Sequence, residues 1–295
     1  MDGIYLTGTY PPPILKFGTC SWKYDSWRGI VYSDAPKLDY LAEYACHFDC
    51  VEVDQWFWSL FGPDQVRLPD PKLAAEYAAS VPTTFRFAVK LPNALTLTHY
   101  HPKSKTEALV PNPHFLSADL LYRTLECLEP MRSKLGPLML QFGYLNRQMM
   151  ESQADFLERL EAFMSWLPKE LEWCIEPRNP NWLNGPYFNL LRRLDVGHVF
   201  QQGYYMPPVW RVCGQHADKL TDRVVIRLHG PDRETMDERS GKDWSKIIDA
   251  RDGEIAALAG MLQDLRKPQR KVWTFVNNHF EGCAPLTIKR IRERL

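Results

Sequence analysis

A closed (β/α)8 barrel of the TIM type is the fold that this sequence predicts, and three observations predict it. Eight short apolar runs rich in β-branched and aromatic residues recur along 295 residues, amphipathic stretches separate them, and no low-complexity tract or linker interrupts the alternation. An alternation this regular closes a parallel sheet on itself. The chain 1–295 is therefore expected to be a single α/β barrel domain, with 1–13 as a loose N-terminal segment.

Taken in order, the first strand is ILKFGTC at 14 to 20, followed by a helix whose apolar stripe is Leu38, Leu41, Ala42 and Ala45. The second strand is CVEVD at 50 to 54, with a helix within 63 to 80. FRFAVK at 85 to 90 and PLMLQF at 137 to 142 are the third and fourth, with a helix within 115 to 132 between them. A longer stripe, Phe156, Leu157, Leu160, Phe163, Met164 and Leu167, makes the next helix a core-facing one. LEWCIE at 171 to 176 and VGHVF at 196 to 200 flank a helix at 186 to 194. Pro207 and Pro208 then forbid a long regular helix, so the sixth unit is irregular. RVVIRLH at 223 to 229 and KVWTFVN at 271 to 277 complete the ring, with helices at 244 to 266 and 282 to 294. Three long irregular stretches, His99 to Phe115, Gln201 to Asp222 and Pro231 to Asp243, all follow strands. In a barrel such loops lie on the C-terminal rim, where sites are built.

Thirty-six basic residues balance thirty-six acidic ones, so no overall field draws the chain to nucleic acid or an anionic membrane. Neither partner is expected. Seven dispersed cysteines, an odd number without a CxxC pair, argue against a disulfide framework or a structural zinc site. The opening MDGIYLTGTYPPP lacks a basic region followed by an apolar one, and no apolar run approaches the ~18 residues of a spanning helix. A cytoplasmic protein is expected, of an oligomeric state the sequence does not reveal.

Side chains alternate along a strand, so Val51 and Val53 face the helices while Glu52, with Cys50 and Asp54, faces the barrel interior. By the same parity Arg86, Ala88 and Lys90 point inward, as do Glu176, Arg227 and His229. Thr19, Gln141, Asn277 and Asn278 stand at further strand ends. Burying unpaired polar groups costs several kcal/mol, so these groups are expected to converge as a hydrogen-bonded set or around a ligand. A buried ion-pair layer of Arg86 and Arg227 with Glu52 and Glu172 is the structural alternative. His99 and His101 form an HxH, a weak metal signal. Aromatics crowd two loops, Trp22, Tyr24, Trp27 and Tyr32 after the first strand and Trp56, Phe57, Trp58 and Phe61 after the second, and are expected to roof the barrel.

These segments resemble the YecE-like family, the domain of unknown function numbered seventy-two. GTCSWKYDSWRG from Gly18 resembles its GTSGWxYxxW opening, VEVDQWFW its VEINxTFY strand and IEPRNPNW its EFRHxSW block; FRFAVKLP, LGPLMLQF, VVIRLHG and FVNNHFEGCAP follow in order. The resemblance runs from about Phe17 to Pro285 and implies a TIM-like barrel, with no established activity. Thr19, Trp22, Glu52, Lys90, Gln141, Glu176, Arg178, Arg227, His229, Asn277 and Asn278 fall on its pattern. Departures such as Cys20 for Ser, Asp54 for Asn and Asn179 for His lie mostly in loops.

The expected function is acid–base chemistry on a small polar, anionic or sugar-like molecule at the C-terminal rim: an isomerase, a lyase or a hydrolase. Glu52, Lys90, Glu176 and His229 would be its catalytic set, with Glu52 and Glu176 as the proton-transfer pair. Thr19, Trp22, Gln141, Arg178, Arg227, Asn277 and Asn278 would bind substrate, the guanidinium groups taking its negative charge. No cofactor is expected. Two alternatives stand beside this reading: a divalent-metal phosphoester hydrolase with Glu52, Glu176, His229 and His99 as ligands, and a non-catalytic ligand-binding or scaffold protein.

Overall fold

The computed structural model describes residues 13–62, 65–101 and 107–295, so the N-terminal segment expected to be loose lies, Pro13 apart, outside the described residues. Those residues form eight parallel strands: β1 (Ile14–Thr19), β2 (Cys50–Val53), β3 (Arg86–Lys90), β4 (Leu135–Phe142), β5 (Trp173–Pro177), β6 (Gly197–Gly203), β7 (Arg223–Gly230) and β8 (Lys271–Val276). Hydrogen-bonded neighbours run β1-β8-β7-β6-β5-β4-β3-β2. The two ends of that order, β1 and β2, pack together, and the sheet is a nearly closed TIM-like barrel.

Helices α1 (Tyr40–Tyr44), α2 (Pro71–Ala79), α3 (Ala118–Leu128), α4 (Gln153–Met164), α5 (Gly185–Leu194) and α6 (Val209–His216) follow the first six strands. After β7 come α7 (Arg233–Ser240) and α8 (Asp252–Asp264), and after β8 comes α9 (Ala284–Arg292). Asp39, Asp70, Ser117, Ser152, Asn184 and Asp232 begin α1 to α5 and α7 by accepting otherwise unpaired N–H groups of the first turn. Among the described residues no helix is long and apolar enough to cross a membrane.

Three stretches differ from the sequence reading. Pro208 caps α6, where its missing N–H costs nothing, so the sixth unit holds two helical turns. Within the irregular stretch after β7, Asp232 caps the short helix α7. Residues 244–251, expected to be helical, are not: Glu281 receives the backbone N–H groups of Ile248 and Asp249 on its carbonyl and that of Arg251 on its carboxylate.

The alternation of side chains divides the core. Val51, Val53, Phe87, Val89, Leu138, Leu140, Ile175, Val224, Ile226 and Leu228 pack outward against the helices. Inside, Trp273 and Phe275 fill the barrel against smaller or flexible partners, Cys20, Cys50, Ala88, Met139, Cys174, Val199 and Val225. Packing is therefore dry in the lower barrel, and polar side chains begin above it.

Closure between β1 and β2 uses side chains. The Thr19 N–H donates to the Tyr44 hydroxyl at 2.9 Å, and that hydroxyl lies 3.1 Å from the Cys50 carbonyl oxygen, which it reaches as donor. Gly18 makes the approach possible, since a Cβ there would lie 2.2 Å from the same carbonyl oxygen. Tyr44→Phe strands a buried N–H and is expected to cost about 1–3 kcal/mol. Gly18→Ala, which forces the strands apart, is expected to cost more. Urea unfolding followed by circular dichroism measures both, and unchanged midpoints would count against this account of the seam.

Candidate functional site

Above the apolar interior, one guanidinium crosses the barrel. Arg227 on β7 donates from Nε to Glu52 Oε2 at 2.7 Å and from Nη2 to Glu52 Oε1 at 2.6 Å, while Nη1 donates to Glu176 Oε2 at 2.7 Å. Neither β2 nor β5 is a hydrogen-bonded neighbour of β7, so these bonds span the interior. Arg178, just past β5, donates from Nε to the other Glu176 oxygen at 2.6 Å, and both guanidinium groups reach Gln141 Oε1 at 3.3 Å. Glu52 and Glu176 are fully buried. Burial alone would raise the Glu176 carboxyl, but Arg178, Arg227 and Lys90 together hold it down at about 2. Burial likewise opposes charge on Arg227, and Glu176 and Glu52 overcome it, keeping its proton on.

This ion-paired layer floors a cavity of about 410 Å³ at the C-terminal ends of the strands. Its wall carries Lys90, Arg178, Arg227 and Arg233, with Asp54 the one acidic side chain among the described lining residues. Lys90 stands at the end of β3 with Nζ 3.4 Å above the centre of the Phe57 ring. Burial, then the positive charge of Arg227, lowers its ammonium to about 8 against the pull of Glu176 and Glu52. Asp54 moves the other way. Loss of hydration and the neighbouring Glu52 push its carboxyl up to about 6, although Lys90 and Arg227 counteract.

His229 closes another side. Burial, followed by Arg227, Arg178 and Lys90, drives its pKa far down, so the imidazole is neutral, and its buried Nδ1 has no hydrogen-bond partner. Tyr204 leans against it, ring centres 5.5 Å apart, with the Arg178 guanidinium 5.3 Å from the Tyr204 ring. The rim is pinched beneath Tyr204: Gly203, at φ 106°, could carry no Cβ, which would fall 2.0 Å from the Gly230 carbonyl oxygen.

Loops supply the remaining walls and are tied down. Asn93 Oδ1 accepts from the Ser59 N–H at 2.9 Å and the Leu60 N–H at 3.2 Å, and the Asn93 N–H donates to the Phe57 carbonyl at 2.7 Å. That fixes the segment bearing Asp54, Phe57 and Trp58. His279, 2.9 Å from Asp237 and 2.5 Å from Asn277 Oδ1, fastens α7 over the end of β8.

The structure thus brings Lys90, Gln141, Arg178, Arg227, His229 and Asn277 to one cavity wall and sets Glu52 and Glu176 directly beneath. Three other residues of the expected set lie elsewhere. Thr19 turns toward α1 and spends its N–H at the seam, because Phe17 faces outward and Thr19 shares its parity. Trp22 is buried edge-on against Tyr77, ring centres 5.0 Å apart. Asn278 accepts from the Ala284 N–H at the start of α9. The ion-pair layer has other members than Arg86 and Glu172: Arg86 donates to the Thr83 and Phe85 carbonyls, and Glu172 pairs with Lys271. Of the two aromatic loops, Tyr24, Phe57 and Trp58 line the cavity, while Trp27 and Tyr32 are buried.

Sequence reasoning left out Asp54, Tyr204, Arg233 and Gln201. Gln201, buried and inward, extends the Val199 parity once β6 is continued past Phe200, and Asp54 shares the Glu52 face; Tyr204 sits in the turn after β6 and Arg233 opens α7, a helix with little apolar periodicity. Among the described residues no three His, Cys, Asp or Glu side chains gather as metal ligands. Of the donors named for a metal, the carboxylates are taken by Arg227 and Arg178 and His99 Nδ1 lies 3.0 Å from Thr98 Oγ1, while His229 Nδ1 has no partner among the described residues.

A family model described as "Protein of unknown function DUF72" matches residues 16–295. A solved DUF72 family protein from Enterococcus faecalis V583 superposes with a TM-score of 0.66 at 18% identity, covering 96% of this chain and 95% of that one. One from Thermotoga maritima MSB8 gives 0.63 at 19% identity, covering 95% and 98%. A psychrophilic glycoside hydrolase family 10 endo-β-1,4-xylanase, at 0.50 and 10% identity over 90% and 86%, shares the barrel fold alone. No curated protein matches.

The charged floor yields an acid-stability prediction. Glu176, at about 2 when folded against an ordinary 4.5, contributes stability that is complete above about 4.5 and lost as the pH falls toward 2. Glu176→Gln leaves Arg178 and half of Arg227 unpaired and is expected to cost about 3–5 kcal/mol at neutral pH while flattening that acid limb. Denaturant melts between pH 2 and 7 check it; parallel curves for parent and variant would refute the pairing.

Proposed function

The chain belongs to the DUF72 family of proteins of unknown function, and we propose that its barrel mouth binds a small anionic molecule and moves protons on it through Asp54 and Lys90. One observation carries this reading. Glu52 and Glu176 are sunk below the cavity and matched by Arg227 and Arg178, so beyond those pairs the wall a ligand meets sets Lys90 and Arg233 against Asp54, with the outer edges of the two guanidinium groups between them. Guanidinium groups suit a carboxylate or phosphate. The modest volume, about 410 Å³, suits a metabolite-sized ligand.

Proton transfer falls to the groups whose pKa values approach neutrality. Glu176, at about 2, is a poor base, and both oxygens of Glu52 are occupied; the two act as positioning residues that hold Arg227 and Arg178 rigid. Asp54 at about 6 and Lys90 at about 8 bracket pH 7 as a base and an acid. His229, neutral, offers an uncommitted nitrogen to a ligand hydroxyl. Such an arrangement suits isomerisation or lyase-type proton abstraction beside an anionic group.

Calorimetric titration with carboxylated, phosphorylated and uncharged small sugars tests the binding. The acids are expected to bind saturably and the neutral sugars not, with Arg233→Ala and Arg178→Lys each weakening the acids roughly tenfold. Neutral sugars binding as well as acids would refute the proposal. For any acid that binds, conversion is expected to peak between about pH 6 and 8, where Asp54 is ionised and Lys90 still protonated. Asp54→Asn should abolish that conversion while leaving binding in place; binding without conversion by the parent would make the protein a ligand holder.

A further inference from the structure

Lys90 differs from the other buried cations in having nothing to hold. Arg227 and Arg178 spend their N–H groups on Glu52, Glu176 and Gln141, and Lys134 donates to the Ala78 and Val81 carbonyls. Among the described residues Lys90 Nζ has no hydrogen-bond acceptor and no ion-pair partner; it rests on an aromatic face beside the cavity. That face belongs to a loop pinned by Asn93, so the amine is held in place without a lone pair taking its protons. An amine at a barrel strand end, poor in partners and facing a cavity, is the arrangement of a nucleophile.

We propose that Lys90 attacks the carbonyl carbon of a small aldehyde or ketone bearing a carboxylate and condenses with it to an imine. The inference rests on the anion-binding reading above and gives Lys90 the part of a neutral amine in place of the acid. The Nζ lone pair forms the C–N bond as the carbonyl π pair moves to oxygen, which takes a proton. The two amine hydrogens account for that proton and for a second, so the oxygen leaves as water while C=N forms and no oxidant or reductant is consumed. Asp54, on the same wall, is the carboxyl placed to deliver and remove these protons, and Arg178 and Arg233, which also border the cavity, are the guanidinium groups placed to meet the substrate carboxylate. The charged groups acting on Lys90 include Arg227 of β7, Glu176 of β5, Glu52 of β2, Arg178 and, just past β2, Asp54. Their balance with burial lowers the amine from 10.5 to about 8, which raises its neutral fraction at pH 7 by roughly two orders of magnitude.

The test is reductive trapping on the full chain. Glyoxylate, or pyruvate, is added with sodium cyanoborohydride, and the labelled lysines are located by peptide mass spectrometry. One adduct per chain is expected, on Lys90, formed at least roughly tenfold faster than on surface lysines such as Lys72 and Lys289 and faster as the pH rises toward 8. Lys90→Arg, which keeps the charge over Phe57 but cannot form an imine, is expected to lose the adduct while keeping its circular dichroism spectrum; Lys90→Met provides a second, uncharged check. Labels spread evenly over surface lysines, or an unchanged pattern in Lys90→Arg, overturn the proposal. If the two acids raise the melting temperature but leave Lys90 unlabelled, the imine fails and the anion-binding reading stands. If uncharged glycolaldehyde labels Lys90 as readily as glyoxylate, the amine is a nucleophile but the carboxylate requirement and the anion-binding reading both fall.

Discussion

Arg227 is a permanent cation in the middle of a barrel, and the rest of the site follows from what it takes to keep it there. A buried guanidinium left unpaired is untenable, so two carboxylates must reach it, and they come from strands that are not its neighbours in the sheet. The second oxygen of Glu176 then needs a donor, which Arg178 provides. This chain of pairing fixes four side chains from three strands and the loop beyond one of them. It also separates the dry packing of Trp273 and Phe275 below from the solvated mouth above. The negative charge of the barrel is thereby spent underground, and what faces a visitor is cationic.

Much of this was legible in the strands and little of it in the loops. Period-two alternation is a strong signal wherever a strand has an unmistakable apolar face, and from the sequence alone it puts Glu52, Lys90, Glu176, Arg227 and His229 on the inner side. It misplaced Thr19 only because the first strand was read for its polar end rather than its parity: Phe17 outward already implied Thr19 outward, with Cys20 inside. Asn278 and Trp22 lay beyond the last strand residue, where alternation no longer constrains direction. The division of labour among the acids was not legible at all. Whether Glu176 is a base or a counter-ion depends on which guanidinium lies across the interior, and that pairing joins residues 51 positions apart in the chain.

The same contrast separates the two carboxylates that share the face of β2. Glu52 and Asp54 differ by one turn of the pleat, yet the first is clamped by two N–H groups and the second is open to the cavity with its carboxyl pushed up to about 6. Depth along the strand, set by where the guanidinium sits, decides which carboxylate is structural and which is free to exchange a proton. On the neighbouring strand β3, Lys90 shows the converse, an amine deep enough to lose hydration but too far from any carboxylate for an ion pair.

The barrel is not equally stiff around its girth. Seven junctions between strands are laced by ladders of backbone bonds, while β1 and β2 are joined through side chains, the Tyr44 phenol at the upper end and the Lys16–Asp49 ion pair at the lower. Tyr24 hangs from the loop beyond one side of that join and Asp54 from the other, and both border the cavity. The Arg227 clamp grips Glu52 on β2, two residues below Asp54, so one side of this join is braced from across the interior as well. The cylinder therefore has a seam running lengthwise, free of backbone ladder, and Asp54 stands at its upper end.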